Sequence, residues 1–70
     1  MNYDTIQGRW RELRGDVKAR WAKLTDDDLD FVDGRVEALI GRIQQRYGEA
    51  REKARDAVDR WLQSLESAKG

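Results

Sequence analysis

The residues suited to chemistry fall in two places. Asp26, Asp28, Asp30 and Glu37 occupy positions 1, 3, 5 and 12 of a calcium-binding loop of the EF-hand type. Such a loop needs glycine at its sixth position for a sharp turn, and Phe31 stands there. The same acids also suit the first turn of a helix, where carboxylates meet the positive end of the helix dipole. Thr25, just ahead of them, is a good N-cap. One segment cannot do both, and the helical reading is the stronger. The second concentration is basic: Arg9, Arg11, Arg14, Lys18, Arg20 and Lys23 face only Glu12 and Asp16. With Trp10 and Trp21 nearby, this pattern fits phosphate contacts with base stacking, or a helix lying on an anionic membrane. The plainer alternative is a solvated basic face over a core that holds both tryptophans. The acidic block that follows would repel either polyanionic partner.

Other chemistry is excluded by what the chain lacks. It contains no His and no Cys. The commonest general base, the commonest metal ligand and every thiolate or disulfide site are therefore absent. There is no glycine-rich phosphate loop and no arrangement of a conventional catalytic triad. No catalytic residue, cofactor, metal or small-molecule substrate is expected. The 14 basic and 14 acidic side chains cancel, whereas a dedicated nucleic-acid binder usually carries a basic excess. The longest apolar run, Ala38-Leu39-Ile40, is too short to span a membrane. With no signal pattern at the N-terminus, the expected location is the cytoplasm.

These residues must be positioned by helices. There is no Pro, and the stretches between glycines are rich in Arg, Glu, Leu and Ala. Ile6, Trp10, Leu13, Val17, Trp21 and Leu24 recur at spacings of three and four, which predicts one amphipathic helix. Asp4 is its expected cap, with Gln7 in the capping-box position. After Thr25, a second stripe runs through Leu29, Val32, Val36, Leu39, Ile40, Ile43 and Tyr47. A single helix through all of these would point Phe31 at water. A break near Asp33-Gly34 is favoured because it would let Phe31 turn inward. Gly48 can end this helix in a left-handed conformation. The last helix carries Ala50, Ala54, Ala57, Val58, Trp61, Leu62 and Leu65 on one face, with Glu49–Lys53 and Asp56–Arg60 as acid-first pairs four apart. At 70 residues the chain makes one domain with a thin core. Residues 1–66 form that domain, and 67–70 are a fraying tail.

A shift of 26 positions aligns Asp4, Gly8, Arg9, Leu13, Gly15 and Arg20 with Asp30, Gly34, Arg35, Leu39, Gly41 and Arg46. The apolar stripe survives the shift, with Ile6, Val17 and Trp21 meeting Val32, Ile43 and Tyr47. A duplication and convergence on one amphipathic pattern both produce this. The glycines are seven apart, Gly8 and Gly15 in one set and Gly34, Gly41 and Gly48 in the other. Each set lies on one helix face, away from the apolar stripe. These positions are weak points in the helices, costing up to about 1 kcal/mol each, places where another backbone comes close, or kinks.

The opening Met1-Asn2, Asp4, Ile6, Gly8 and Trp10 resembles the start of the CsbD-like family of small bacterial stress-response proteins. Gly15, Trp21 and the run Lys23-Leu24-Thr25-Asp26-Asp27-Asp28 continue the likeness. So do Gly34, Leu39, Gly41, Ile43, Gln44, Arg46, Tyr47 and Gly48, and more loosely Ala54, Val58 and Trp61. The likeness covers positions 1 to about 61. It marks Trp10, Gly15, Trp21, Leu24, Thr25, Asp28, Gly34, Gly41, Tyr47 and Trp61 as motif and core positions. It implies an all-α bundle of three to four helices, arranged as an array of two helical hairpins. It also implies an abundant general-stress protein with no established biochemical activity, and it carries over no catalytic residue. Ala22 stands where relatives often have Gly. Glu49 and Ala50 stand where they often have a Ser-type cap, which leaves the start of the last helix open. The expected role is binding or protecting other macromolecules, either other proteins or further copies of this chain. An anionic membrane or a nucleic acid bound by the first helix is the alternative.

Overall fold

The helix that starts the chain breaks sooner than its apolar stripe implies. In the computed structural model, which describes residues 3–67, the stripe is carried by α1 (Tyr3–Gly8) and α2 (Trp10–Arg20). Arg9 between them departs from helical geometry, with φ −111° and ψ 17°. The hydrogen-bond ladder nearly survives the kink: Arg9 N–H donates to the Thr5 carbonyl and Leu13 N–H to the Arg9 carbonyl, both at 3.0 Å. Asp4 lies inside the first turn of α1, so it acts on the helix dipole instead of serving as the expected cap. Helix α2 ends at Arg20, yet Trp21 and Leu24 still reach the core from the loop beyond it.

Thr25 caps α3 (Asp26–Val32) as its sequence requires. Its hydroxyl accepts from Asp28 N–H at 3.1 Å, and the Asp28 carboxylate accepts from Thr25 N–H at 3.0 Å, which completes a reciprocal capping box. The expected break follows. Asp33 takes a left-handed conformation at φ 46°, and Gly34 follows at φ 81°. Then come α4 (Val36–Tyr47) and α5 (Arg51–Ser67). Gly48 closes α4 at φ 65° and ψ 30°, the left-handed cap expected of it. The chain is all-α. Five helices form among the described residues, not the three or four expected, because both helical units break. Of the tail expected to fray, Ser67 ends α5 and residues 68–70 lie outside the described residues.

The break does not turn Phe31 inward. Phe31 is 49% exposed, while its neighbours Asp28, Leu29 and Val32 are buried. The guanidinium of Arg42 lies 4.0 Å from the Phe31 ring centroid and that of Arg35 lies 5.1 Å away. Cation–π contact gives an aromatic ring a stable place at the surface, and that is where the structure keeps it.

One core unites the helices. It takes Ile6 from α1, Trp10, Leu13 and Val17 from α2, Leu29 and Val32 from α3, and four residues from each of α4 and α5. Helix α4 packs against both α3 and α5. Trp21 meets Trp61 edge to face, with centroids 5.9 Å apart, and the Trp10 indole N–H donates to the Leu29 carbonyl at 3.3 Å. The radius of gyration is 11.2 Å, close to the roughly 11 Å expected of a compact chain this long.

The 26-residue shift has a structural counterpart. Helices α2 and α4 begin 26 positions apart, each just after a Gly-Arg pair at the break. Ile6 and Val32, Trp10 and Val36, Leu13 and Leu39, and Val17 and Ile43 are all buried in matching places. A further equal shift leads to Val58 and Leu62 of α5, which are also buried. The glycines separate into two kinds. A Cβ on Gly8, Gly15 or Gly41 would meet nothing within 4 Å. A Cβ on Gly34 would lie 2.6 Å from Gln7 Cα, so a close backbone approach exists at this glycine.

Candidate functional site

The charged side chains of α3 go three ways. Asp28 turns inward and is the buried charged residue of the described chain, at 2% exposure. Besides the Thr25 N–H, its carboxylate accepts from Arg46 Nε at 2.8 Å and Nη2 at 3.0 Å, and Arg42 Nη1 lies 3.4 Å away. The Arg46 guanidinium, outweighing burial, holds the Asp28 pKa down at about 2. The same pair raises the pKa of Arg46. Asp28 thus ties the loop before α3, α3 itself and α4 together at one point.

Asp26 and Asp30 face the other way, toward α2. Lys18 Nζ donates to Asp26 Oδ1 at 2.7 Å, and Arg14 Nη2 lies 2.9 Å from Asp30 Oδ1. Lys18, with a smaller contribution from Arg14, lowers the Asp26 pKa. The three acids that could have opened a calcium loop therefore sit on a helix with different partners, and they do not converge. Among the described residues, no group of three or more potential ligands is placed to hold a metal.

The six basic residues do not form one patch. At about 100° per residue, Arg11, Arg14 and Lys18 share the edge of α2 that faces α3. Arg20 lies on the other side, lining a shallow groove with Asp16, Ala19, Trp61 and Ser64. Its guanidinium sits 5.7 Å from the Trp21 ring centroid. Arg9 pairs with Glu12 at 3.2 Å. Lys23 lies over the Tyr47 ring at 5.0 Å, and Tyr47 Oη accepts from Lys23 N–H at 3.2 Å. Arg9, Arg11 and Arg14 border an open cleft of about 610 Å³ at the α1–α2 kink, together with Gln7, Gly8, Glu12 and Asp33. Trp10 and Trp21 are only 6% exposed each, so neither offers a face for base stacking.

Of the motif positions, Trp10, Trp21, Leu24, Asp28, Gly34 and Trp61 are buried, Tyr47 and Gly41 are partly buried, and Gly15 and Thr25 are exposed. The sequence reading missed the Arg35–Phe31–Arg42 stack and the Arg51–Glu37 pair that joins α4 to α5. Spacing betrays part of the first, since Phe31 and Arg35 are four apart. The second spans a turn and leaves no local pattern. The two carboxylates with displaced pKa values, Asp26 and Asp28, are both displaced downward. A general acid needs the opposite displacement.

These features define a small all-α protein whose buried charge is paired and whose helices are joined by ion pairs at the surface. The chain belongs to the CsbD-like family, whose model matches residues 4–56, from α1 into the first turns of α5. It is 50% identical over 58 residues to the UPF0337 protein PA4738 of Pseudomonas aeruginosa, covering 83% of this chain and 89% of that one. It is 44% identical over 65 residues to the UPF0337 protein RPA4217 of Rhodopseudomonas palustris, covering 93% and 98%. To the UPF0337 protein YjbJ of Escherichia coli K12 it is 43% identical over 61 residues, covering 87% and 88%. No solved structure matches the chain.

Proposed function

We propose that this protein is a non-enzymatic general stress-response protein of the cytoplasm that acts on other macromolecules through its charged surface. Membership of the CsbD-like family carries this reading. The chemistry of the chain agrees with it, since there is no His or Cys and the displaced carboxylates are held ionised. Charged residues make up 40% of the sequence at zero net charge. Such a surface stays hydrated and repels neither cationic nor anionic neighbours at long range. No helix among the described residues is long and apolar enough to cross a membrane. The direct test measures heat-induced aggregation of client enzymes with and without the purified protein, alongside stress survival of a deletion strain. Suppressed aggregation and impaired survival are expected. Unchanged aggregation together with normal survival overturns the reading.

A second reading, a polyanion-binding module built on α2, is favoured by one observation. Arg11, Arg14 and Lys18 share an edge of α2 that leads into the open cleft at the kink.

A further inference from the structure

The bases and acids between α2 and α3 are in register. Lys18 faces Asp26, and Arg14 faces Asp30. Continuing one step in the same antiparallel sense brings Arg11 toward Asp33, and both border the open cleft. The bases stand at spacings of four and three, and so do the acids. The bases therefore form a row along one edge of α2, and Asp26 and Asp30 a row along α3 that Asp33, in the turn just past its end, continues. Two rungs of this ladder are closed. At the third, Arg11 is exposed and makes no ion pair among the described residues.

We propose that the Arg11–Arg14–Lys18 edge of α2 is a binding surface for the phosphate backbone of duplex nucleic acid, and that the acidic edge of α3 covers it by standing in for the phosphates. This rests on the second reading above, and it gives that reading a site and a reason for zero net charge. Both partners of each pair are open to solvent, Lys18 at 50% and Arg14 at 35% exposed, Asp26 at 73% and Asp30 at 66%, so a phosphate oxygen can approach the bases from outside. Exposed pairs of this kind are weak and exchange readily. A membrane-lying helix needs apolar side chains beside its basic ones. Here Trp10, Leu13 and Val17 are in the core, and the small residues on the outward side of α2 are Gly15 and Ala19. With both neighbouring tryptophans buried, the surface reads phosphates and no base.

The test uses the full chain and a fluorescent duplex DNA at low salt. Asp26→Asn combined with Asp30→Asn uncovers the edge and raises the net charge by two. Asp56→Asn combined with Asp59→Asn on α5 makes the same charge change elsewhere. The α3 variant is expected to bind duplex at least tenfold more tightly than both the wild type and the α5 variant. Adding Arg14→Gln and Lys18→Gln should remove that gain. Three phosphate contacts give a log–log salt slope of about −2.7. Equal binding by the two Asn variants overturns the proposal, because net charge alone then explains it. So does binding of the α3 variant to anionic phosphatidylglycerol vesicles but not to duplex. Should the α3 variant fold poorly, amide shifts of the wild type titrated with duplex decide the matter. Shifts confined to residues 11–18 and 26–33 support the proposal, and their absence overturns it.

Discussion

Asp28 shows how much one residue can hold. Its carboxylate is buried, accepts from Thr25 N–H and from Nε and Nη2 of Arg46, and its pKa is depressed to about 2. A depressed carboxylate contributes stability that is complete above its unfolded pKa and is lost as the pH falls through the folded one. Urea denaturation should therefore show stability declining as the pH falls from the ordinary aspartate range down through about 2, where Asp28 takes up its proton. Asp28→Asn should cost about 1–3 kcal/mol at neutral pH, the scale of a lost charged hydrogen-bond network, and should flatten part of that decline. Gly34 is the other sensitive position. Its φ of 81° disfavours any side chain, and a Cβ would strike the Gln7 backbone at 2.6 Å. Gly34→Ala should destabilise by about 3 kcal/mol or more, adding left-handed strain to overpacking. Thermal melts of the two variants check both values.

At the scale of the element, a glycine alone does not break a helix. Gly15 and Gly41 sit inside unbroken α2 and α4. Gly34 marks a break where it and Asp33 are both left-handed and α1 lies close, and in α5 the position one further shift along is Arg60, where the helix runs on. Gly15 and Gly41 face open space. Gly15→Ala and Gly41→Ala should each stabilise the protein by up to about 1 kcal/mol through helix propensity. Chemical denaturation measures this directly. Under the proposed stress-response role, a stabilised variant that fails to restore survival to a deletion strain would locate a partner on that face. The capping box is a second element-level device, and Thr25→Ala should cost about 1 kcal/mol.

For the whole molecule, one core links all five helices, so unfolding should be a single cooperative transition. Trp21 and Trp61 are in contact. Tryptophan fluorescence and far-ultraviolet dichroism should therefore give the same midpoint; separated midpoints would mean that α5 opens independently. The pairs between α2 and α3 and between α4 and α5 involve exposed side chains. Raising salt to about 1 M, where the screening length is roughly 3 Å, should change stability by less than about 1 kcal/mol.

The sequence alone determined most of the buried apolar set, Phe31 excepted. The spacing of Ile6, Leu13, Val17, Val32, Leu39 and Ile43 is a local property, because helical geometry converts it directly into a face. Trp21 and Leu24 kept their burial even where the helix beneath them ended. The Thr25 and Gly48 caps were legible for the same reason, since each acts within a few residues of itself. Tertiary structure decided the rest. It added a helix by breaking the first stripe at Arg9, and it brought the Gln7 backbone against Gly34. It kept Phe31 outside between two arginines and drew Asp28 inside to Arg46. It also covered part of a basic row that looked free in the sequence, by bringing Asp26 and Asp30 to Lys18 and Arg14. These outcomes depend largely on which charges meet across the fold, and residues many positions apart leave no periodic trace of such meetings.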